Sequence, residues 1–405
     1  MSHVAIAKNT LYQIISKIST AFIGFLLTLL IAHYYGADGF GAYTKITFLV
    51  GTSLLLIDFG INAIYLQTEK NITFSDLVWL RLIMAAVLLI GLNLLLPVFG
   101  IFSQNAFPVG VRLGVLYYSL TLFPQAVILS TSSLFQKHLR YNLLFIAQVL
   151  GSLILILSSV VVVALHLNLI WIILSLLIGN IVSAIAAFIL TKEKISFGFR
   201  PRNSWTLFKM SVPLGLMLFC NLIYFRADIF LLSFFTSQTA VGIYGYAYRY
   251  FDFLIALPLF LSNSLYPIML SGKNTRNGSQ MRTTYGVVYV VSGIFISSIA
   301  FLLAPIIGIV KPEFLLSILP FRILLISLPI FFLTSYLQWI LIVHKRLHIM
   351  LGIYIFSAVL NIVLNYIFIP TLGYIGAAWI TDISELIVLL LLALTIFKTK
   401  IWNIR

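Results

Sequence analysis

Lys17, Lys45, Arg226, Asp228, Arg249, Asp252, Asp382 and Glu385 all stand inside stretches that are otherwise almost wholly apolar. A charge in such a setting is costly, so each must be paired, reach an aqueous cavity or change its protonation. The chemistry open to them is non-covalent. Fixed cations favour a cavity or an acidic partner, and neighbouring carboxylates share or exchange a proton. Asp382 and Glu385 are three residues apart on one helix face, a spacing at which one of them can hold a proton in a coupled step. Arg249 and Asp252 have the same spacing and two readings: mutual neutralisation, or separate service to a ligand. Lys17 has no acid three or four residues away, which favours a cavity over an ion pair. Lys45, Arg81, Arg112 and Arg322 lie near segment ends, where long side chains snorkel to the interface, and that reading is preferred for them over binding. Asp58 also lies near a segment end, within reach of solvent.

Other constellations fail. His344 and His348 have metal-ligand spacing, but Lys345 and Arg346 lie between them and no thiolate or carboxylate is near, so no metal is expected. No Gly-x-x-x-x-Gly-Lys loop exists for a nucleotide, and no cofactor is implied. Cys220 is the one cysteine, which excludes an internal disulfide.

The elements that must position these charges are membrane spans. Of 405 residues 61% are hydrophobic and 9% charged, with mean hydropathy +1.11. That is too little polar surface for a water-soluble globule, and apolar runs of spanning length recur from end to end. The pattern predicts an all-α polytopic protein with spans near 10–34, 40–66, 77–100, 109–135, 141–165, 169–190, 207–235, 241–271, 283–309, 315–343, 349–369 and 373–397. The first run follows Lys8 without a small-x-small cleavage site and is read as a retained span. The domain reading is a six-helix lobe over 1–190, a cytoplasmic linker over 191–206 and a second six-helix lobe over 207–405. At ~1.5 Å per residue, Lys17 lies roughly 14 Å deep and Lys45 roughly 8 Å from the outer face. Arg249, Asp252, Asp382 and Glu385 lie roughly 13 to 18 Å in from that face. Arg226 and Asp228 fall in the outer half of the seventh span.

A formal net charge of +15 could indicate nucleic acid, but its placement answers to membrane insertion instead. Alternate connections carry Lys8, Lys70, Lys137, Arg140, Lys192, Lys194, Arg200, Arg202, Lys209, Lys273, Arg276, Arg282, Lys345, Arg346, Lys398, Lys400 and Arg405, which is 17 of the 25 cations. The opposite loops carry Lys311 alone. By the positive-inside rule both termini are cytoplasmic and the span number is even. Reporters fused after residues 70, 139, 200, 277 and 346 should therefore read cytoplasmic, and those after 38, 105 and 238 periplasmic. A periplasmic reading after 200 would sink both the orientation and the two-lobe scheme.

Sliding the chain by 201 residues lays "GFGAY" over "AVGIY", aligning Gly41 with Gly242 and Tyr43 with Tyr244. Each motif sits on the turn between the first two spans of a half. Both halves have six spans and start on the same side, so the repeats are parallel. The glycines suit tight outer turns, and Tyr34, Tyr35 and Tyr43 suit headgroup depth.

Three blocks carry a resemblance. "YYGADGFGAYTKITFLVGTSLLLIDFGINAIYLQ", "RADIFLLSFFTSQTAVGIYGYAYRYFDFLIALPLFLSNSLYPIM" and "LNYIFIPTLGYIGAAWITDISE" resemble segments of Wzx-type polysaccharide (O-antigen) flippases. These belong to the superfamily that also holds multidrug and toxin extruders. The resemblance implies a twelve-helix, two-lobed bundle in the bacterial inner membrane with alternating access to a central cavity. Its substrate would be an undecaprenyl-diphosphate-linked oligosaccharide, and a polysaccharide polymerase and chain-length regulator would be its companions beside membrane lipids. Cations in spans 1, 2 and 8 match Lys17, Lys45 and Arg249, and an acid on the first outer turn matches Asp38. Arg226 joins the cavity set; Asp38, Asp228, Asp252, Asp382 and Glu385 form the gating or coupling set. The family often has arginine where Lys17 and Lys45 stand, and lysine lacks the bidentate fork. An antiporter of drugs or small cations with the same fold is the nearest alternative and should carry a net acidic cavity. A membrane glycosyltransferase or polymerase needs a large outer loop, whereas each outer loop here is roughly a dozen residues or fewer by the same span reading.

Overall fold

The computed structural model describes residues 3–67, 72–102, 107–193, 200–258, 261–262, 278–344 and 346–399. Lys70, Lys194, Lys273, Arg276, Lys345, Lys400, Arg405 and part of the eighth predicted span lie outside them, as does the side chain of Lys17.

The described chain is helical, with no strand among the described residues. The order is α1 His3–Asp58, α2 Ile61–Gln67, α3 Phe74–Phe102, α4 Val109–Ser119, α5 Leu122–Lys137, α6 Tyr141–Ala164, α7 Leu169–Thr191 and α8 Pro201–Phe235. Then come α9 Gln238–Ile255, α10 Gly278–Leu303, 3-10 segments Ala304–Ile309 and Pro312–Ser317, α11 Ile318–Val343 and α12 Leu347–Lys398. Nine helical stretches among the described residues are long and apolar enough to cross a membrane. Two of them, Ser19–Gln67 and His348–Lys398, are bent at Gly36 (φ 68°) and Gly373 (φ 58°), so each supplies two of the predicted spans. The eighth predicted span is represented by α9. Side chains rarely adopt positive φ, and glycine marks both breaks for that reason.

Two predicted spans are interrupted where none was expected. The second breaks at Phe59 and Gly60, both at positive φ (38° and 72°). The fourth breaks between α4 and α5, where the Thr121 N–H bonds the Tyr118 carbonyl at 2.9 Å, three residues back. Pro124 explains this, because its ring clashes with the carbonyl four residues earlier, that of Leu120.

Residue contacts divide the chain into two units, Met1–Tyr35 with Ala42–Phe219, and Gly36–Gly41 with Cys220–Arg405. In the first unit α6 and α7 approach closely through Gly151, Gly179 and Ser183. Lipid tails are as apolar as leucine, so helices associate in a bilayer through such close packing rather than through water exclusion. Leu153, Leu157 and Val160 on α6 stay exposed, as lipid-facing residues must. Behind them Ile128, Phe135, Leu144, Ala147, Ala184 and Ala187 form a buried cluster.

The second unit is built around α9. Its Tyr244, Tyr246, Tyr248 and Phe251 are buried, and Tyr246 packs at a tilt against Phe314, 4.1 Å between ring centroids. The Gly36–Gly41 turn packs into the same unit. A Cβ on Gly41 would strike the carbonyl oxygen of Gln238, and one on Gly242 would strike that of Ala37. These two approaches are one approach repeated under the 201-residue shift. The aligned glycines therefore have a physical cause: two turn backbones meet where no side chain fits.

Candidate functional site

In the second unit Arg226 and Asp228 stand on α8, Arg249 and Asp252 on α9, and Asp382 and Glu385 on α12. Arg226 on α8 donates through Nη2 to both carboxylate oxygens of Asp252 on α9, at 3.0 and 2.8 Å. Its guanidinium also lies 5.0 Å from the Tyr248 ring. Asp252 thus has an ion-pair partner on the neighbouring helix, which its spacing from Arg249 on its own helix does not reveal. Every residue from Val241 to Tyr248 is buried, and Arg249 ends the run exposed.

The acids behave differently from one another. Asp228 is 2% exposed, and the Tyr244 hydroxyl donates to its Oδ2 at 2.5 Å. Glu385 is 2% exposed and accepts from the Tyr224 hydroxyl at 2.7 Å and from the Thr334 hydroxyl. Asp382, three residues before it, is 6% exposed and has Ser327 beside its carboxylate. The two acids share a helix face but differ in hydroxyl partners, Ser327 for Asp382 and Tyr224 with Thr334 for Glu385. Nearby on α12, Asn361 donates to Ser384 at 3.2 Å and Asn365 to the Asn361 side chain at 2.8 Å.

At the Gly36–Gly41 turn, Asp38 is exposed and accepts from the Gln238 amide at 2.8 Å and the Thr239 hydroxyl at 3.4 Å. Glu313 supplies what the sequence reading missed. Its carboxylate accepts the Ala37 N–H at 2.7 Å, where the helix restarts after Gly36, and Lys311 lies 3.7 Å from it. A carboxylate suits a helix start, where N–H groups lack partners.

In the first unit Lys45 is fully buried with its ammonium 5.9 Å from the Phe107 ring centre. Arg112 donates through Nε to the Phe107 carbonyl at 2.7 Å. Arg81 does not snorkel. It is fully buried and donates to Asp58 at 3.2 Å, Asn62 at 2.6 Å and Ser130 at 3.3 Å. Inward orientation wins because three acceptors await the guanidinium there. Asp58→Ala removes the one carboxylate from this set. We expect a loss of about 3 kcal/mol, the low end for breaking a buried pair, because Asp58 is 30% exposed. Thermal unfolding of the detergent-solubilised protein reads this, and adding Arg81→Met should restore most of it, since removing both charges is often neutral. An unchanged midpoint in Asp58→Ala would mean that Asn62 and Ser130 suffice.

The described residues contain no group of three or more His, Cys, Asp or Glu able to hold a metal. What the arrangement offers is pairing of buried charge, an exposed cation on α9, and carboxylates held by hydroxyl donors.

The family model described as "Polysaccharide biosynthesis protein" matches residues 6–273. No curated protein matches by sequence. Among solved structures, the chain resembles the lipid II flippase MurJ in its inward closed conformation, with TM-score 0.80, 16% identity, and 97% of this chain and 89% of that one covered. It resembles an inward-facing multidrug resistance MATE family transporter of the MOP superfamily with TM-score 0.77 and 14% identity over 95% of each chain. A third likeness is to a MOP superfamily transporter from Pyrococcus furiosus, reported to have a binding pocket of reversed polarity. There the TM-score is 0.56 and the identity 14%, over 98% of this chain and 94% of that one. These likenesses establish the fold, the two-lobed twelve-helix bundle of those transporters. With two thirds of its length matched by the family model, the chain belongs to the polysaccharide biosynthesis protein family.

Proposed function

We propose that the protein is a flippase. It moves an undecaprenyl-diphosphate-linked oligosaccharide, an O-antigen repeat unit, from the cytoplasmic to the periplasmic leaflet of the bacterial inner membrane. Both termini are cytoplasmic, transport proceeds by alternating access, and no covalent chemistry occurs. Family membership supports the pathway, and the fold supports transport. The observation that carries the substrate class is Arg249, an exposed guanidinium that follows eight consecutive buried residues on α9. A diphosphate in a poorly hydrated cavity needs a fixed counter-charge, and a guanidinium matches its oxygens. Lys17 and Lys45 would extend the cationic set, Lys45 in a state of the transport cycle that uncovers it, since it is fully buried here. Arg226 serves by orienting Asp252, which already holds it.

A cation antiporter of the same fold should present acids to its cavity. Here Asp228 and Glu385 are buried and bonded to hydroxyls. We read that burial as support for the anionic substrate, and we propose a coupling role for the buried acids together with Asp382. Companions in the pathway would be a polysaccharide polymerase and a chain-length regulator. The test is complementation: the gene should restore surface polysaccharide to a flippase-null strain and cause lipid-linked repeat units to leave the inner leaflet. Extrusion of a cationic dye without such restoration would favour the antiporter.

A further inference from the structure

The first turns of α8 form a surface that the transport scheme does not use. Ser204, Leu207 and Ser211 face inward. Ser204 donates to the Asp76 carbonyl at 3.2 Å, and Asn203 reaches the Asp76 carboxylate at 3.4 Å. Asp76 is itself held as a cap by Thr73, whose N–H and hydroxyl donate at 3.0 and 2.9 Å. The opposite face is basic and aromatic. Arg200, Arg202 and Lys209 are exposed, and Trp205 is 56% exposed. Arg202, Trp205 and Lys209 are spaced to lie on one helix face. The Lys209 ammonium lies 5.3 Å above the indole, and the indole stacks on Phe208 at 5.5 Å, which stacks on Phe59 at 5.8 Å. Three stacked rings fix the indole in place rather than leaving it free to turn inward. Beside this face Lys137 and Arg140 are also exposed, Lys137 over the Tyr65 ring that shares a cluster with Leu207. From Arg200 to Ala227 the sequence contains no acid.

We propose that the Arg202–Trp205–Lys209 face is a docking surface for anionic phospholipid headgroups. Charge complementarity argues for it. A guanidinium donates two parallel bonds to a phosphodiester, an indole N–H has donor capacity only, and a fixed aromatic ring sits at headgroup depth. A zwitterionic choline head would bring its own cation against Arg202 and Lys209, so the face selects net negative lipid. Lipid held here would secure the start of α8 to the leaflet surface.

The test uses the full chain in phosphatidylcholine vesicles that contain a minor share of brominated lipid, either phosphatidylglycerol or phosphatidylcholine. Bromine quenches a nearby indole, and the Trp205 contribution is the difference between wild type and Trp205→Phe. Each cation near an anionic surface is worth about fivefold in local enrichment, so quenching by brominated phosphatidylglycerol should exceed that by brominated phosphatidylcholine about two- to fivefold. Arg202→Gln with Lys209→Gln should bring the two to parity, while Lys398→Gln, an exposed cation at the far end of α12, should leave the excess intact. Equal quenching in wild type overturns the proposal. So does an excess that survives the double substitution or disappears with Lys398→Gln.

Discussion

A disulfide between Asp38→Cys and Gln238→Cys should stop export, and reduction should restore it. In the structure these side chains are already bonded, amide to carboxylate at 2.8 Å, and the Gln238 amide also donates to the Asp38 carbonyl at 3.2 Å. The two turn backbones meet closely here because Gly41 and Gly242 leave room. Alternating access, as proposed, requires the Gly36–Gly41 turn to leave the start of α9 in each cycle. A covalent bond worth far more than two surface hydrogen bonds would forbid that. The single substitutions remove only weak exposed bonds, and each should retain most of the activity. Surface polysaccharide is measured with and without reductant, and the crosslinked fraction is read by gel mobility. Full export by protein that is fully crosslinked would show that this turn stays closed throughout, and the gating role assigned to Asp38 would fall with it.

The sequence shows the bends at Gly36 and Gly373 as polar, glycine-bearing breaks in apolar runs. It also shows the repeat, whose aligned glycines turn out to accommodate reciprocal backbone approach. Pairing between helices is hidden. Arg226 and Asp252 are 26 residues apart and Arg81 and Asp58 are 23, so no helical spacing rule relates them. Spacing points to Arg249 for Asp252 and says nothing of Arg226, because the i, i+3 rule sees one helix at a time. Which neighbour wins depends on how α8 is rotated against α9, and a single sequence does not encode that visibly. Glu313 was invisible for a related reason, since it caps a helix that begins 276 residues earlier in the chain. The break before α5 was legible in Pro124, but the hydropathy of the run masked it. Apolar continuity reports membrane immersion, not helical continuity.

Loss of Arg249 and Lys17 together should abolish export while leaving inserted protein at the wild-type level. Arg249 is exposed at the end of the buried run on α9, and Asp252 has an ion pair of its own with Arg226. Inserted protein, quantified beside export, separates stability from transport at this position. If the guanidinium holds the diphosphate, Arg249→Ala forfeits a charge-assisted bond where water compensates poorly. A cost of about 2–3 kcal/mol, or roughly 30- to 150-fold in binding, follows for a bond to a charged group. Arg249→Lys keeps the charge without the planar fork and should retain part of the activity. Lys17→Arg should be tolerated because the charge stays, whereas Lys17→Ala should lower export on its own. Lys398→Ala, on the exposed last turn of α12, should have no effect. The assay is surface polysaccharide in a flippase-null strain, with membrane-inserted protein quantified beside it. Wild-type export from the double alanine variant would mean that neither cation meets the substrate. The anionic-ligand reading would then lose its physical basis, whatever the family membership implies about the pathway.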